Sequence, residues 1–229
     1  MNNIINFYEL DEVKALKKPS INPNFKSHGM NVPFRSLIIG ASGSGKTNIV
    51  LNLISQMKNT FNMIYIYTRN KAEPLYEFLE QKIDPDFLQI NEGLDTLNSM
   101  KDSDYFGQTL IIFDDLCLEK DQLCIGEMYI RGRKLQGGIS LCYLTQSYYE
   151  VPTIIRGQCS YMFLKKVPNK QNLKMMLREY SLNTTIEQIL AMYSYCIDGD
   201  FLNFLLIDLE NPESNFRKGF NEILDSTMF

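Results

Sequence analysis

One histidine, no tryptophan and no closely spaced cysteine pair occur in 229 residues, and each scarcity excludes a class of chemistry. A Ser-His-Asp triad would have to pass through His28, and a site with several histidine ligands is impossible. The five cysteines, Cys117, Cys124, Cys142, Cys159 and Cys196, are odd in number and none has C-x-x-C spacing. They read as reduced thiols of an intracellular protein rather than as a disulfide framework. Cys142 lies inside an apolar run and Cys159 close to one, so these are expected to act as small buried hydrophobes. Long apolar runs are also missing. The longest are about five residues, Met63–Tyr67 among them, against the roughly 20 that span a bilayer, so no membrane span is expected. The first residues, MNNIINFYELDE, carry neither a basic stretch nor a long apolar one, which argues against a secretory signal.

What is present suits a folded domain. Apolar residues make up 45% and charged residues 22%, near the average for globular proteins. The formal net charge is −4, which excludes a globally basic nucleic-acid binder. Its distribution is uneven, however. Residues 131–178 hold nine Lys/Arg against one acid, Glu150, so a local basic surface with an anionic partner is expected there.

Up to Pro33 the chain reads as an irregular arm with one short helix around Glu9–Lys17. From Phe34 onward, short apolar runs alternate with helix-length amphipathic segments. Strands are expected at Ser36–Ile39, Met63–Tyr67, Leu110–Phe113, Ile139–Leu144 and Tyr161–Leu164, with a late one in Phe201–Leu209. Helices are expected at Lys46–Met57, Glu73–Lys82, within 94–101, and at Gln122–Tyr129, Thr153–Ile155, Gln171–Tyr180 and Thr185–Tyr195. Continuous apolar strands separated by helices suggest an α/β fold with a mainly parallel sheet and helices on both faces. The expected organisation is an arm (1–33), one domain (34–209) and a C-terminal tail (210–229).

The strongest chemical signal is Gly40-Ala41-Ser42-Gly43-Ser44-Gly45-Lys46-Thr47, a G-x-x-x-x-G-K-[ST] loop between an apolar strand and an amphipathic helix that opens with Asn48. Glycines let successive backbone N–H groups turn toward phosphate oxygens, and the helix start adds its positive dipole end. Lys46 supplies a point charge to the β- and γ-phosphates, and the Thr47 hydroxyl is a Mg²⁺ ligand. This loop makes ATP with Mg²⁺ the expected ligand. Leu110-Ile111-Ile112-Phe113 then runs into Asp114 and Asp115. Asp114 is placed to hold the metal, leaving Asp115 to orient or deprotonate an attacking water. A third strand ends in Thr145-Gln146, where Gln146 either reaches the γ-phosphate or the water or simply leaves the strand as a polar residue. The room for a strand between Lys46 and Asp114 suits additional-strand ATPases, in which a strand separates the two motif strands.

Two basic features leave alternatives open. Arg131-Gly132-Arg133-Lys134 could be an arginine finger for a neighbouring subunit's ATP, a DNA-phosphate contact or a solvated cluster, and Arg156 is a rival finger. Lys165, Lys166, Lys170 and Lys174 are candidate salt-sensitive phosphate contacts. The stretch Asn169-Lys170-Gln171-Asn172 imitates a guanine-recognition motif but lacks its final Asp, so GTP specificity is not supported.

The order Pro33-Phe34-Arg35, GASGSGKT, LIIFDDL, RGRK and YLTQSYYEVPTIIR resembles the poxvirus-type viral genome-packaging ATPases of the FtsK-HerA superfamily over roughly 34–166. The resemblance implies a RecA-like P-loop fold of the additional-strand class and an ATP-hydrolysing motor that packages double-stranded viral DNA. It also implies a homo-oligomeric ring, pentameric or hexameric, around that DNA, capsid proteins as partners at a vertex, and a place at an intracellular assembly site or in the virion. In this resemblance Arg133 matches the family's Gly-Arg pair. Lys134 stands where relatives often carry His, and Asp115 where the wider superfamily usually has Glu. Competing readings of the same loop are a nucleoside or nucleotide kinase and a non-motor, ATP-dependent assembly switch.

Overall fold

The computed structural model describes residues 5–16, 19–105, 107–135, 137–180, 182–211 and 215–229. In chain order its strands are β1 (Arg35–Ile39), β2 (Met63–Thr68), β3 (Leu88–Glu92), β4 (Thr109–Asp114), β5 (Ile139–Thr145), β6 (Tyr161–Leu164), β7 (Leu205–Asp208), β8 (Phe216–Lys218) and β9 (Glu222–Ile223). The helices are α1 (Asp11–Leu16), α2 (Phe25–His28), α3 (Lys46–Gln56), α4 (Pro74–Lys82), α5 (Asp95–Ser99), α6 (Gln122–Arg131), α7 (Thr153–Arg156), α8 (Lys170–Arg178) and α9 (Ile186–Ile197). Lys17, at the end of the expected first helix, lies outside the described residues. No helix among them is long and apolar enough to cross a membrane.

The strands form one sheet in the order β3-β2-β4-β5-β1-β6-β7-β8-β9. Strands β3 through β6 in that order run parallel, and β7, β8 and β9 are antiparallel to their neighbours. Successive side chains of a strand point to opposite faces, so each continuous apolar run feeds two cores. Leu37, Ile111, Phe113, Leu141 and Tyr143 pack on one face with α6, α8 and α9. Ile38, Leu110, Ile112, Cys142 and Leu144 pack on the other with α3 and α4. A run with polar alternation could not have covered both faces. All five cysteines are free, with Cys142 and Cys196 buried.

The sequence reading differs from this structure at both edges. Strand β3 escaped it because Leu88-Gln-Ile-Asn-Glu92 alternates, with Leu88 and Ile90 buried and Gln89 exposed, as suits a covered edge rather than a central strand. The expected C-terminal tail instead continues the sheet, with Leu206 opposite Arg217 and Arg217 opposite Ile223. Among the described residues of the N-terminal arm, burial is confined to its end: His28 and Met30 are fully covered and Val32 nearly so, whereas Tyr8 and Leu16 are largely exposed.

Arg217 ties these ends together. Its guanidinium lies 3.1 Å from Asp208 and donates to the carbonyl oxygens of His28 (2.9 Å) and Gly29 (3.1 Å). Phe204 and Phe220, with centroids 5.1 Å apart, close the apolar side of the same corner. A charge buried this well is held because both terminal nitrogens of its fork find oxygens.

His28 sits in this corner with Nδ1 accepting from the Met30 N–H at 3.0 Å and Nε2 buried without a partner among the described residues. Burial first, and Arg217 second, lower its pKa from 6.5 to about 4. Between those values the unfolded chain binds the proton more readily, so this group's contribution to stability falls as pH falls. From pH 7 to 5 the loss is about 2 kcal/mol. Asp114 acts in the opposite sense, because its carboxyl is raised to about 6. The expected result is therefore a comparison: His28→Asn, whose amide oxygen can still accept from Met30, loses less stability than wild type between pH 7 and 5. Parallel urea melts at the two pH values measure the difference, and equal losses would show that His28 does not titrate as described.

Candidate functional site

The nucleotide-binding candidates converge at the carboxyl ends of the parallel strands, where open α/β sheets bind ligands. Strand β5 lies between β1, which leads into the glycine loop, and β4, which ends in Asp114. The loop is pinned at its entry, where Gly40 N–H donates to Thr145 O at 3.1 Å and Ala41 N–H to Lys166 O at 3.0 Å. Gly43 and Gly45 then take positive φ (68° and 89°), a region that side chains disfavour. A Cβ at Gly40 would stand 2.5 Å from Ser44 Oγ and 2.6 Å from Lys165 Cβ. The sequence of glycines is thus set by backbone curl at two positions and by close approach at a third.

Helix α3 starts with no side chain capping it, so its first N–H groups remain available to an external acceptor. Ser44 Oγ is buried and has no partner among the described residues. Lys46 is 8% exposed, with Nζ donating to Gly40 O (3.1 Å) and Ala41 O (3.2 Å). Burial lowers its pKa, while Asp115 and Asp114 favour its charge. Unsatisfied donors, an orphaned hydroxyl and a desolvated cation together fit a phosphate chain.

Asp114 and Asp115 part ways structurally. Asp114, at the end of β4, accepts from Tyr76 Oη at 2.5 Å. Its pKa rises to about 6, chiefly through burial and against the Tyr76 hydrogen bond. Asp115 adopts φ 54°, which turns its carboxylate sideways to accept from Gln146 Nε2 at 3.0 Å. The structure therefore brings Lys46, Thr47, Asn48, Asp114, Asp115 and Gln146 onto one cleft of about 1030 Å³. Among the described residues no group of three or more His, Cys, Asp and Glu could hold a metal by itself. That fits Mg²⁺, which usually takes one or two protein ligands plus substrate phosphates and water; here Thr47 and Asp114 would hold it.

Several lining residues were not anticipated. Arg69 and Asn70 follow the carboxyl end of β2 and line the cleft. The rule that singled out Gln146, a polar residue leaving a parallel strand, would have found both. Tyr76 on α4 and Phe201 before β7 carry no local signal, because only the folded sheet brings Tyr76 to Asp114 and Phe201 to the loop.

The arginines separate. Arg133 is exposed in a 3₁₀ turn, Gly132–Lys134. Gly132 packs beside Ile139, at the amino end of β5. The cleft lies at that strand's other end, about 20 Å away for seven residues at ~3.3 Å each. Arg133 cannot serve the cleft of its own chain. Arg131 pairs with Asp102 at 3.3 Å. Arg156 is held within its own chain, 3.2 Å from Glu179 and 4.5 Å over the Tyr148 ring, so acting as a finger would require it to leave these partners.

The expected phosphate-contacting lysines divide similarly. Lys165 is 2% exposed, and its ammonium donates to the carbonyl oxygens of Phe201 and Asn203. It is a structural cation, not a DNA contact. Lys166 and Lys174 are exposed, and the Lys170 side chain lies outside the described residues. The basic stretch is therefore not one surface: Arg133 and Lys134 stand at the amino end of the sheet and Lys166 at its carboxyl end. The guanine-motif look-alike is a helix cap, with Asn169 Oδ1 accepting from Gln171 N–H and Asn172 N–H.

A family model described as Poxvirus A32 protein matches residues 24–200. The chain belongs to that family. Among the relatives of this A32-family chain is the DNA packaging protein OPG160 of Variola virus, 27% identical, with 86% of this chain and 88% of that protein aligned. The genome packaging NTPase B204 from Sulfolobus turreted icosahedral virus 2, solved in complex with ATP-gammaS, has a similar fold. It superposes with a TM-score of 0.58 at 17% identity, covering 85% of this chain and 100% of that one. EssC (ATPases 2 and 3) from Geobacillus thermodenitrificans superposes at 0.55 and 12% identity over 85% of this chain and 40% of that one. The fold of the A32-family chain is thus that of the P-loop packaging ATPases: a mostly parallel sheet with helices on both faces.

Proposed function

We propose that this chain is an ATP-hydrolysing DNA translocase that packages a double-stranded viral genome into a capsid. The observation that carries the reading is the cleft in which an uncapped helix start, a desolvated Lys46 and the Asp115–Gln146 pair face one another. The A32 family match and the packaging relative support the DNA substrate.

In this mechanism the loop N–H groups of residues 43–48 and the Lys46 ammonium hold the triphosphate, with Lys46 leaving the Gly40 and Ala41 carbonyls for the γ-phosphate. Thr47 and Asp114 would hold Mg²⁺, which would supply positive charge against that developing on the phosphates. Tyr76 keeps Asp114 aimed and favours its ionised form. Asp115 accepts a proton from, or orients, the attacking water, and Gln146 holds that carboxylate in place through its 3.0 Å hydrogen bond. Arg133 completes a neighbour's site. That requires a homo-oligomeric ring, pentameric or hexameric, with capsid proteins at a vertex as further partners and an intracellular assembly site as its place of action.

The test is ATPase rate with and without long double-stranded DNA. Strong stimulation is the expected result. Unchanged hydrolysis with DNA, or phosphate transfer to a nucleoside, would replace the motor with the switch or the kinase.

A further inference from the structure

The cleft has a face that phosphate chemistry does not use. Asp115 and Gln146 stand above β4 and β5, on one side of β1. On the other side of β1 lie β6 and β7, and above them sits Phe201. Phe201 is 62% exposed and its ring lies against the loop: a Cβ at Gly45 would be 2.9 Å from Phe201 Cε2. Isolated exposed apolar side chains need no explanation. Phe201 differs because its backbone is fixed by a buried charge. Lys165, 2% exposed, donates to the carbonyl oxygens of Phe201 and Asn203 and stands 5.3 Å from the ring centroid. Asp200 braces the same turn by accepting from Leu202 N–H at 2.9 Å. Holding a solvent-facing ring by desolvating a lysine is costly, and folding alone gains little from it.

A nucleotide whose γ-phosphate is at Asp115 and Gln146, and whose β-phosphate is in the loop, must extend its remaining part away from β4. That direction leads toward β6 and β7. We infer that Phe201 is the platform on which the nucleotide base stacks, and that Lys165 is the positioning residue that presents it. The inference rests on the ATP-binding reading of the loop. A flat, rigid ring on a tethered turn gains stacking energy without paying to order itself. Stacking tolerates every base because each has a π-face. The ring therefore contributes affinity and orientation to any nucleoside triphosphate and nothing to inorganic phosphate chains.

The chain contains no tryptophan, so Phe201→Trp carries a single reporter at the proposed contact. Binding of ATP and of inorganic tripolyphosphate, each with Mg²⁺, is measured by calorimetry for wild type, Phe201→Ala and Phe201→Trp, with tryptophan emission followed in the last. The expected result is ATP affinity about 5- to 150-fold weaker in Phe201→Ala, the range of one base–aromatic stack, with tripolyphosphate affinity unchanged. Phe201→Trp should bind ATP near wild-type strength with quenched emission, and tripolyphosphate should leave the emission unaltered. Equal losses for both ligands in Phe201→Ala would make the ring a brace for the loop and overturn the inference. So would full ATP affinity in that variant, or ATP binding by Phe201→Trp without an emission change. Wild-type protein that binds neither ligand would instead overturn the phosphate-loop reading beneath it.

Discussion

Lys46→Ala eliminates ATP hydrolysis while leaving the fold intact. The residue is 8% exposed, and among the described residues its ammonium donates only to the loop's own carbonyls, of Gly40 and Ala41. Such a cation is held ready rather than used: burial lowers its pKa, which means the folded state bears part of its desolvation. Removing it relieves that cost and forfeits two hydrogen bonds, typically worth about 0.5–1.5 kcal/mol each, so the net change in stability is small. The chemical loss is large. Removing one preorganised donor from a developing negative charge typically costs about 10²–10³ in kcat. Here the donor carries a full charge, and no other residue of the loop from Gly40 to Thr47 is cationic. Steady-state phosphate release and a thermal melt on the same preparation check both halves. Turnover near wild type would remove Lys46 from the reaction.

Arg133→Ala is expected to reduce turnover by about 10³–10⁵, the contribution of an arginine finger, and to do so only through the assembled protein. The geometry makes this sharper than the motif alone. Arg133 lies at the amino end of β5 while its own cleft lies at the carboxyl end, so any action on ATP must be on a neighbour's. As an exposed side chain without a carboxylate partner among the described residues, it should be lost at little cost in stability, within about 0.5 kcal/mol. The decisive measurement is a mixture. Lys46→Ala subunits keep Arg133 but cannot hydrolyse, and Arg133→Ala subunits keep the loop but lack the finger. Recovery of activity on mixing is the expected result. If both variants assemble and the mixture stays inactive, Arg133 does not act in trans, and Arg131, in an exposed pair with Asp102, or Arg156 becomes the residue to test.

Much of the central sheet was legible because its signal is local. Tyr161–Leu164 appears as a strand with the expected bounds, and the other four early strands differ by only a residue or so. Each is an apolar run long enough to be buried on both faces. The glycine loop was legible for a related reason: its chemistry needs particular residue types at fixed spacing along one turn. Strand β3 was not legible, because at an edge the alternation of Gln89 and Asn91 with Leu88 and Ile90 competes with a loop reading. Strands β8 and β9, three and two residues long, have too little periodicity to be seen. They exist because Arg217 finds Asp208, His28 and Gly29, partners from 9 to 189 positions away in the chain.

The order of residues picked out the glycine loop, the paired carboxylates and Gln146 as candidates, and the fold brings them to one cleft, since each is a short segment whose chemistry is carried by neighbours in the chain. What each cation does was decided only in three dimensions. Lys165 and Lys166 are adjacent and equally basic in sequence, yet one is buried against the Phe201 turn and the other is exposed. Arg133 and its rival Arg156 look alike in sequence, yet one is exposed at the far end of the sheet and the other is clasped by Glu179 and Tyr148. A charge takes its role from the dielectric and the partners around it, and those are set by the fold rather than by the residues beside it in sequence.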